Sequence, residues 1–66
     1  MENISTTQKI RERLGYTRAE VAEKIGVSRQ SIRLIEIGRV VPSVSLAQRL
    51  AKFFGRTVED LFPEEG

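Results

Sequence analysis

The chain has 66 residues, which suffice for one small domain and are too few for two. It contains no cysteine and no histidine, which excludes disulfide bonds, thiolate or imidazole metal sites, and nucleophiles that need either side chain. Leu, Ile, Val and Phe provide 20 of the 66 residues, too many for a disordered chain. No apolar run reaches the roughly 18 residues that a membrane span needs, and the N-terminal residues do not form a signal peptide. We therefore expect a soluble domain of the cytoplasm, without a metal ion or cofactor.

Positive and negative charges occupy different parts of the chain, although the net charge is only +2. Residues 1–56 hold all 11 basic side chains and five acidic ones, whereas residues 57–66 hold four acidic side chains and no basic one. Eight of the basic residues are arginine, the side chain best suited to bidentate contacts with phosphate and guanine. The pattern indicates a basic working surface, with an acidic tail at residues 63–66 that lies away from it. A generic solvated surface is the alternative.

The first predicted helix begins at Ser5, which forms a capping box with Gln8 three residues later, and it stops at Gly15. Its first turn is polar because Thr6 and Thr7 precede Gln8. This pattern predicts a first helix that is short or loosely docked.

The second and third predicted helices form a helix-turn-helix over residues 17–38. A capping box at Thr17 begins the second helix, which Gly26 ends, and Ser28 caps a third helix that Gly38 stops. Two helices of about eight to ten residues joined by so short a turn are typical of this motif. The apolar residues of the segment recur at helical intervals: Val21, Ala22, Ile25, Ile32 and Ile35. Among them, the small Ala22 suits the point where the two helices cross.

The chain ends with two further helical segments. Pro42 and Ser43 open the fourth helix, which Gly55 ends, and Thr57 opens a short last turn that Pro63 closes. No segment alternates strictly between apolar and polar residues, as a half-buried strand does. The sequence therefore predicts a single all-α domain over residues 1–66.

Most of the chain, residues 10–62, resembles the Cro/C1-type helix-turn-helix family, the XRE-like and phage-repressor-like transcriptional regulators. The resemblance is densest in residues 18–32. It continues at Glu36, Gly38, Pro42, Ser43, Leu61 and Phe62. It implies a compact five-helix, lambda-repressor-like domain that binds double-stranded DNA sequence-specifically and regulates transcription as a repressor. The chain departs from the family at Ile37, where asparagine is common, and in the apolar pair Val40 and Val41.

The resemblance also implies which residues contact DNA, with helix 28–37 lying in the major groove. The implied base contacts are Ser28, Arg29, Gln30, Arg33 and Leu34. Arginine can bridge guanine O6 and N7, and glutamine can bridge adenine N6 and N7. Leu34 either contacts a thymine methyl group or packs in a partly buried position. The implied phosphate contacts are Arg18, Ser31, Arg39 and Ser43, and for each arginine a merely solvated charge is the alternative.

Two further predictions concern assembly of the domain. An acidic side chain in the last turn of the recognition helix opposes the helix dipole, so Glu36 is expected to form a partly buried ion pair with Arg11 rather than to be an unrelated surface charge. The working unit is expected to be a symmetric homodimer on a near-palindromic operator. Its predicted interface is the apolar set Val58, Leu61, Phe62 and Pro63 on a helix too short to bury them all. The alternative is a monomer in which Leu61 and Phe62 complete the core.

Two other classes of function compete with DNA binding. Catalysis would depend on carboxylates or lysine, and helix capping explains the carboxylates in first turns, so we expect no enzyme. The stronger alternative is an antitoxin-like or adaptor module of the same fold whose main partner is another protein. Its sequence feature is a set of exposed aliphatic residues: Leu34, Ile37, Val40 and Val41.

Overall fold

The computed structural model describes residues 5–63, and within this range the chain forms five α-helices and no β-strand. The helices are α1 (Thr6–Arg13), α2 (Arg18–Ile25), α3 (Arg29–Glu36), α4 (Val44–Phe54) and α5 (Val58–Leu61). The all-α fold class predicted from the sequence is confirmed. Residues 64–66, which make up most of the predicted acidic tail, lie outside the described residues, as do residues 1–4.

A serine or threonine side chain begins each helix. The N-cap hydroxyl groups each accept a hydrogen bond from the backbone N–H three residues further along, and they belong to Ser5, Thr17, Ser28, Ser43 and Thr57. A cap of this kind satisfies a backbone donor that has no partner inside the helix, and it contributes about 1 kcal/mol. Short-range spacing in the sequence therefore determines where all five helices begin.

Of the two capping boxes predicted from the sequence, the one at Thr17 is complete and the one at Ser5 is half formed, and Thr57 forms a further complete box. The boxes that begin at Thr17 and Thr57 have both reciprocal hydrogen bonds. At α1, Ser5 Oγ accepts from the Gln8 backbone, but the Gln8 side chain donates to Glu12 Oε2 at 3.1 Å. The residue four positions along the same helix face thus replaces the N-cap backbone as the partner of Gln8.

The turn between α2 and α3 depends on Gly26, whose φ of +87° lies in the left-handed region that favours glycine. The N–H groups of Gly26 and Val27 both donate to the Ala22 carbonyl, at 2.8 and 3.0 Å. These bonds satisfy the carbonyl end of α2 and let α3 pack back against it.

The core lies between helices α2, α3, α4 and α5. It consists of apolar side chains from all four: Val21, Ala22, Ile25, Ile32, Ile35, Leu50, Ala51, Phe54 and Leu61. Val21 has no exposed surface, and Leu50 is only 1% exposed. The helix-turn-helix is therefore fixed by packing against the C-terminal helices as well as by its own turn.

Leu61 belongs to this core, which corrects its predicted place in a dimer interface. The Leu61 side chain is 2% exposed, so it cannot contact a second copy of the folded chain. Helix α1 covers this region, because the buried hydroxyl of Thr7 donates to the Leu61 carbonyl at 3.0 Å. The first helix is expected from the sequence to be short or loosely docked: α1 has eight residues, and it is not loosely docked, because the polar side chain of Thr7 finds its partner in the interior.

Candidate nucleic-acid interface

Helix α3 has a buried face and an exposed face of opposite character. The buried face holds Ile32, Ile35 and Glu36, and the exposed face holds Arg29, Gln30 and Arg33. At 1.5 Å per residue, the eight residues of α3 span about 12 Å. An α-helix with its side chains is about 10–12 Å in diameter, so it fits the major groove of B-DNA, which is about 12 Å wide.

A groove of about 620 Å³ lies between the beginning of α2 and the exposed face of α3. Its lining consists of Arg11, Tyr16, Thr17, Arg18, Ala19, Arg29, Gln30 and Arg33. Four of these eight side chains are arginine and none is acidic, so the groove attracts anions. We refer to it below as the arginine groove.

The residues predicted to contact bases are not equally accessible. Arg29, Gln30 and Arg33 are exposed. Ser28 is exposed as well, but its Oγ accepts from the Ser31 backbone and lies 3.0 Å from Ser31 Oγ. Leu34 is half-buried, the packing position that its alternative interpretation describes. Its backbone carbonyl accepts the Arg39 N–H at 2.9 Å, which closes the end of α3.

The residues predicted to contact phosphate fall into two groups. Arg18 lines the arginine groove, whereas Arg39 and Ser43 are exposed in the loop after α3, outside that groove. Ser43 Oγ accepts from the Leu46 backbone at 3.1 Å, which leaves its O–H free to donate to a phosphate oxygen. Ser31 is half-buried, and the cap at Ser28 already uses its backbone N–H.

Glu36 lies at the centre of a buried charged cluster. Arg11 Nε is 2.6 Å from Glu36 Oε2, and Arg18 Nε is 2.8 Å from Glu36 Oε1. The Glu36 side chain has no exposed surface, and that of Arg11 is only 9% exposed. The structure thus contains the pair of Arg11 with Glu36, and the pair is more deeply buried than expected. Arg11 Nη1 also donates to the Tyr16 carbonyl at 2.8 Å, which ties α1 to the beginning of α2.

Sequence reasoning missed the second arginine of this cluster. It assigned Arg18 to phosphate and not to Glu36. The available signal was the need of a buried acid for positive partners, but spacing alone does not show which of the eight arginines in the chain reach it.

A second missed role belongs to Arg49 in α4. Its Nη2 donates to the Ile25 carbonyl at the end of α2. A cation is favourable at that position because helix carbonyls there lack partners and carry partial negative charge. Arg49 therefore anchors the helix-turn-helix to α4 from behind the turn.

An apolar groove of about 710 Å³ shares no lining residue with the arginine groove. It lies among the end of α3, the loop that follows, α4 and α5. Its lining is mostly aliphatic and consists of Ile35, Gly38, Val40, Val41, Pro42, Val44, Ala47, Gln48, Val58, Glu59 and Phe62. Val41 is 90% exposed and Val44 is 75% exposed, so two valines project beside the groove. We call this surface the valine groove.

Of the predicted dimer residues, the valine groove takes up Val58 and Phe62, both half-buried. Pro63 is exposed but does not line the groove.

Across residues 5–63, no three acidic side chains come close enough to hold a metal ion. No helix in this range is both long and apolar enough to cross a lipid bilayer.

Comparison with known proteins places similarity over nearly all of the described chain. The family model described as Helix-turn-helix matches residues 8–61. An uncharacterized HTH-type transcriptional regulator of Methanothermobacter thermautotrophicus is 49% identical over 53 residues, which cover 79% of this chain and 77% of that protein.

Two further relatives carry the same description. The uncharacterized HTH-type transcriptional regulator MJ0272 of Methanocaldococcus jannaschii is 52% identical over 46 residues, 70% of each chain. The uncharacterized HTH-type transcriptional regulator YgzD of Bacillus subtilis is 40% identical over 55 residues, 83% of each chain.

Proposed function

Because the chain belongs to the helix-turn-helix family of transcriptional regulators, we propose that it binds double-stranded DNA sequence-specifically and represses transcription from the genes beside its sites. The observation that carries this proposal is the exposed polar face of α3, where Arg29, Gln30 and Arg33 lie over a core-packed apolar face. Such a helix can lie in the major groove and leave the fold unchanged. Since its ligand is chromosomal DNA, we propose that the protein acts in the cytoplasm and has no catalytic role.

The proposed contacts divide into those that read bases and those that bind the backbone. Arg29, Gln30 and Arg33 read base edges, with Ser28 at the beginning of the helix and Leu34 at the margin of the contact. Phosphates on the two sides of the DNA major groove are bound by Arg18, Ser31, Arg39 and Ser43. Base contacts give sequence preference, whereas phosphate contacts give affinity and its dependence on salt.

We further propose that the protein binds DNA as a symmetric homodimer through the valine groove. One surface supplies both projecting valines, Val41 and Val44, and a concave apolar wall that includes Val58 and Phe62. A twofold interface needs this self-complementarity, because each copy contributes the same patch. The valine groove shares no lining residue with the arginine groove, and Glu59 is the only charged residue of its lining.

A selection experiment tests the function. The purified chain is incubated with a pool of random-sequence duplexes, and the bound DNA is recovered over several rounds. Fluorescence anisotropy then measures the affinity of the chain for the enriched sequences. We expect one near-palindromic consensus whose affinity falls steeply as salt rises, because phosphate contacts release counterions. A reporter gene with that site in its promoter should then be repressed.

A pool without any enriched sequence would contradict the proposal. It would favour the alternative function, an antitoxin-like or adaptor module whose valine groove binds another protein. A consensus that activates the reporter would keep DNA binding and refute repression.

A further inference from the structure

The charged cluster of Arg11, Glu36 and Arg18 joins the core to the arginine groove. Glu36 Oε1 accepts from Arg18 Nε at 2.8 Å, and Glu36 Oε2 accepts from Arg11 Nε at 2.6 Å. Arg11 Nη2 lies 3.3 Å from Glu36 Oε1. Two arginines thus hold the carboxylate from two directions. If one arginine side chain moves, the other keeps the carboxylate in place.

Of the three members of the cluster, only Arg18 has a substantially exposed side chain. The side chain of Glu36 is fully buried and that of Arg11 is 9% exposed, whereas that of Arg18 is 33% exposed and lines the arginine groove. Arg11 also lies 3.7 Å from Glu12 Oε2, so it has two carboxylate partners, whereas Arg18 has Glu36 alone among residues 5–63. Arg18 is therefore the member of the cluster that is open to an anion from solvent.

The way in which Arg18 is held leaves its other donors available. A guanidinium group has five N–H donors, and Glu36 engages Arg18 through Nε. Within residues 5–63, no other acceptor binds Arg18. The two terminal nitrogens therefore remain for a bidentate contact with phosphate oxygens, which arginine makes in a fixed planar geometry.

We infer that Glu36, which lies out of reach of DNA, is a positioning residue: it orients Arg18 so that its terminal nitrogens meet a DNA phosphate at the beginning of α2. This inference rests on the proposed DNA binding and adds a role to an ion pair that otherwise serves only stability. Glu36 fixes the Arg18 side chain before DNA arrives, so binding does not have to restrict a freely rotating arginine. By contrast, Arg39 is an exposed arginine in the loop after α3, and no carboxylate of residues 5–63 holds it.

A simple charge argument predicts the opposite result for one substitution. Glu36→Gln removes a negative charge next to a DNA-binding surface, so electrostatics alone would strengthen binding. If Glu36 orients Arg18, the same substitution weakens binding, and it does so only while Arg18 is present.

The test is a double-mutant cycle on DNA affinity, with the wild-type chain, Glu36→Gln, Arg18→Ala and the double variant. Each protein is first shown to be folded by circular dichroism at the temperature of the binding assay. We expect Glu36→Gln to weaken binding to the selected site about ten-fold in the wild-type background, a size typical of coupled charged contacts. In the Arg18→Ala background the same substitution should leave affinity unchanged. Equal effects in both backgrounds, or tighter binding by Glu36→Gln, would overturn the inference.

A second variant keeps the test decisive if Glu36→Gln does not fold. Arg18→Lys preserves the charge and the pair of Arg11 with Glu36, but lysine cannot donate to Glu36 and hold a phosphate through a planar fork at once. We expect Arg18→Lys to lose about ten-fold in affinity, while the control Arg13→Lys, which replaces an exposed arginine of α1 without a proposed contact with DNA, changes affinity less than three-fold.

The outcomes separate this inference from the proposed function. Wild-type affinity in Arg18→Lys, with DNA binding by the wild-type chain intact, would overturn the positioning role alone. Absence of DNA binding by the wild-type chain would overturn both.

Discussion

We expect Glu36 to contribute more to the stability of the domain than an exposed side chain does. Its carboxylate is buried between Arg11 and Arg18, and removing one partner of such a cluster leaves an uncompensated charge in the interior. We expect Glu36→Gln to lower the free energy of unfolding by about 3–5 kcal/mol. A chain of 66 residues has only about 3–10 kcal/mol in total. Thermal denaturation measures the change as a fall in Tm.

The matched control for that measurement is Glu23→Gln, which removes the charge of an exposed glutamate on α2. It should shift Tm by no more than a surface substitution does, within about 0.5 kcal/mol. If the two glutamine variants melt at the same temperature as the wild-type chain, the buried cluster contributes nothing in solution.

Arg29 and Gln30 should determine which DNA sequence is bound. Replacing either by alanine is expected to weaken binding to the selected site by about 1–3 kcal/mol and to relax the preference at the contacted base pair. Arg39→Ala should instead weaken binding to all sequences about equally and reduce the salt dependence, because its proposed partner is a phosphate. Competition assays with the selected site and with mismatched duplexes measure both quantities.

Lys52→Ala serves as the control for these variants, since Lys52 is an exposed cation on α4 that has no proposed contact with DNA. The assignment of α3 to the major groove is wrong if Arg39→Ala alters sequence preference while Arg29→Ala weakens all duplexes equally.

At the scale of a whole helix, the cap of α5 should make stability depend on pH. The pKa of Asp60 is lowered from its ordinary value of 3.8, chiefly because the Thr57 backbone N–H donates to its carboxylate, and the Thr57 side chain and the positive charge of Arg56 lower it further. A carboxyl group with a lowered pKa in the folded state stabilises that state above its ordinary pKa, and the contribution is lost as pH falls through the lowered value.

Asp60→Asn keeps an acceptor for Thr57 but cannot ionise. The difference in stability between the wild-type chain and this variant should therefore be largest near neutral pH and should shrink as pH falls below about 4. Chemical denaturation at a series of pH values measures it. A difference that stays constant down to about pH 2 would show that the charge of Asp60 does not act through the cap.

The elements of the fold could be read from the sequence because their determinants are local. Each N-cap hydroxyl meets a backbone N–H three residues away, so spacing within a short segment is sufficient. The Gln8 side chain differs because two local partners compete for it, and Glu12 on the next turn takes it. The exposed face of α3 was predictable for the same reason, since helical periodicity assigns each of its residues to a face.

The links between elements could not be read in this way. Thr7 meets Leu61 across 54 positions, Arg49 meets Ile25 across 24, and Arg18 meets Glu36 across 18. Each of these contacts depends on how whole helices pack. From the sequence alone, any of several threonines or arginines could supply each contact. The misplaced Leu61 has the same origin, because the length of α5 does not reveal that α1 covers it.

At the scale of the whole molecule, the valine groove should determine the oligomeric state. Val41→Asp is expected to convert a dimer into a monomer without unfolding it, because Val41 is 90% exposed and contributes little to the core. A charge buried without a partner at an interface is strongly unfavourable. Sedimentation at micromolar concentration measures the mass, and circular dichroism shows that the fold is kept.

Ser45→Asp is the control, since Ser45 is exposed on α4 but does not line the groove. The wild-type dimer should protect two half-sites about 10–10.5 bp apart, centre to centre. A wild-type chain that sediments as a monomer and binds a single half-site with full affinity would refute the homodimer.

The hydrogen bond from Thr7 to the Leu61 carbonyl has a consequence for the protein during its synthesis. The helix-turn-helix, residues 17–38, is synthesised well before α5, yet its core remains open until Leu61 is in place. An unfinished nascent chain therefore carries α3 without the packing that holds it in shape. Translation that stalls before codon 61 should yield fragments that cells degrade rather than partial regulators that occupy operators. On this basis we expect DNA to be occupied by chains that contain α5.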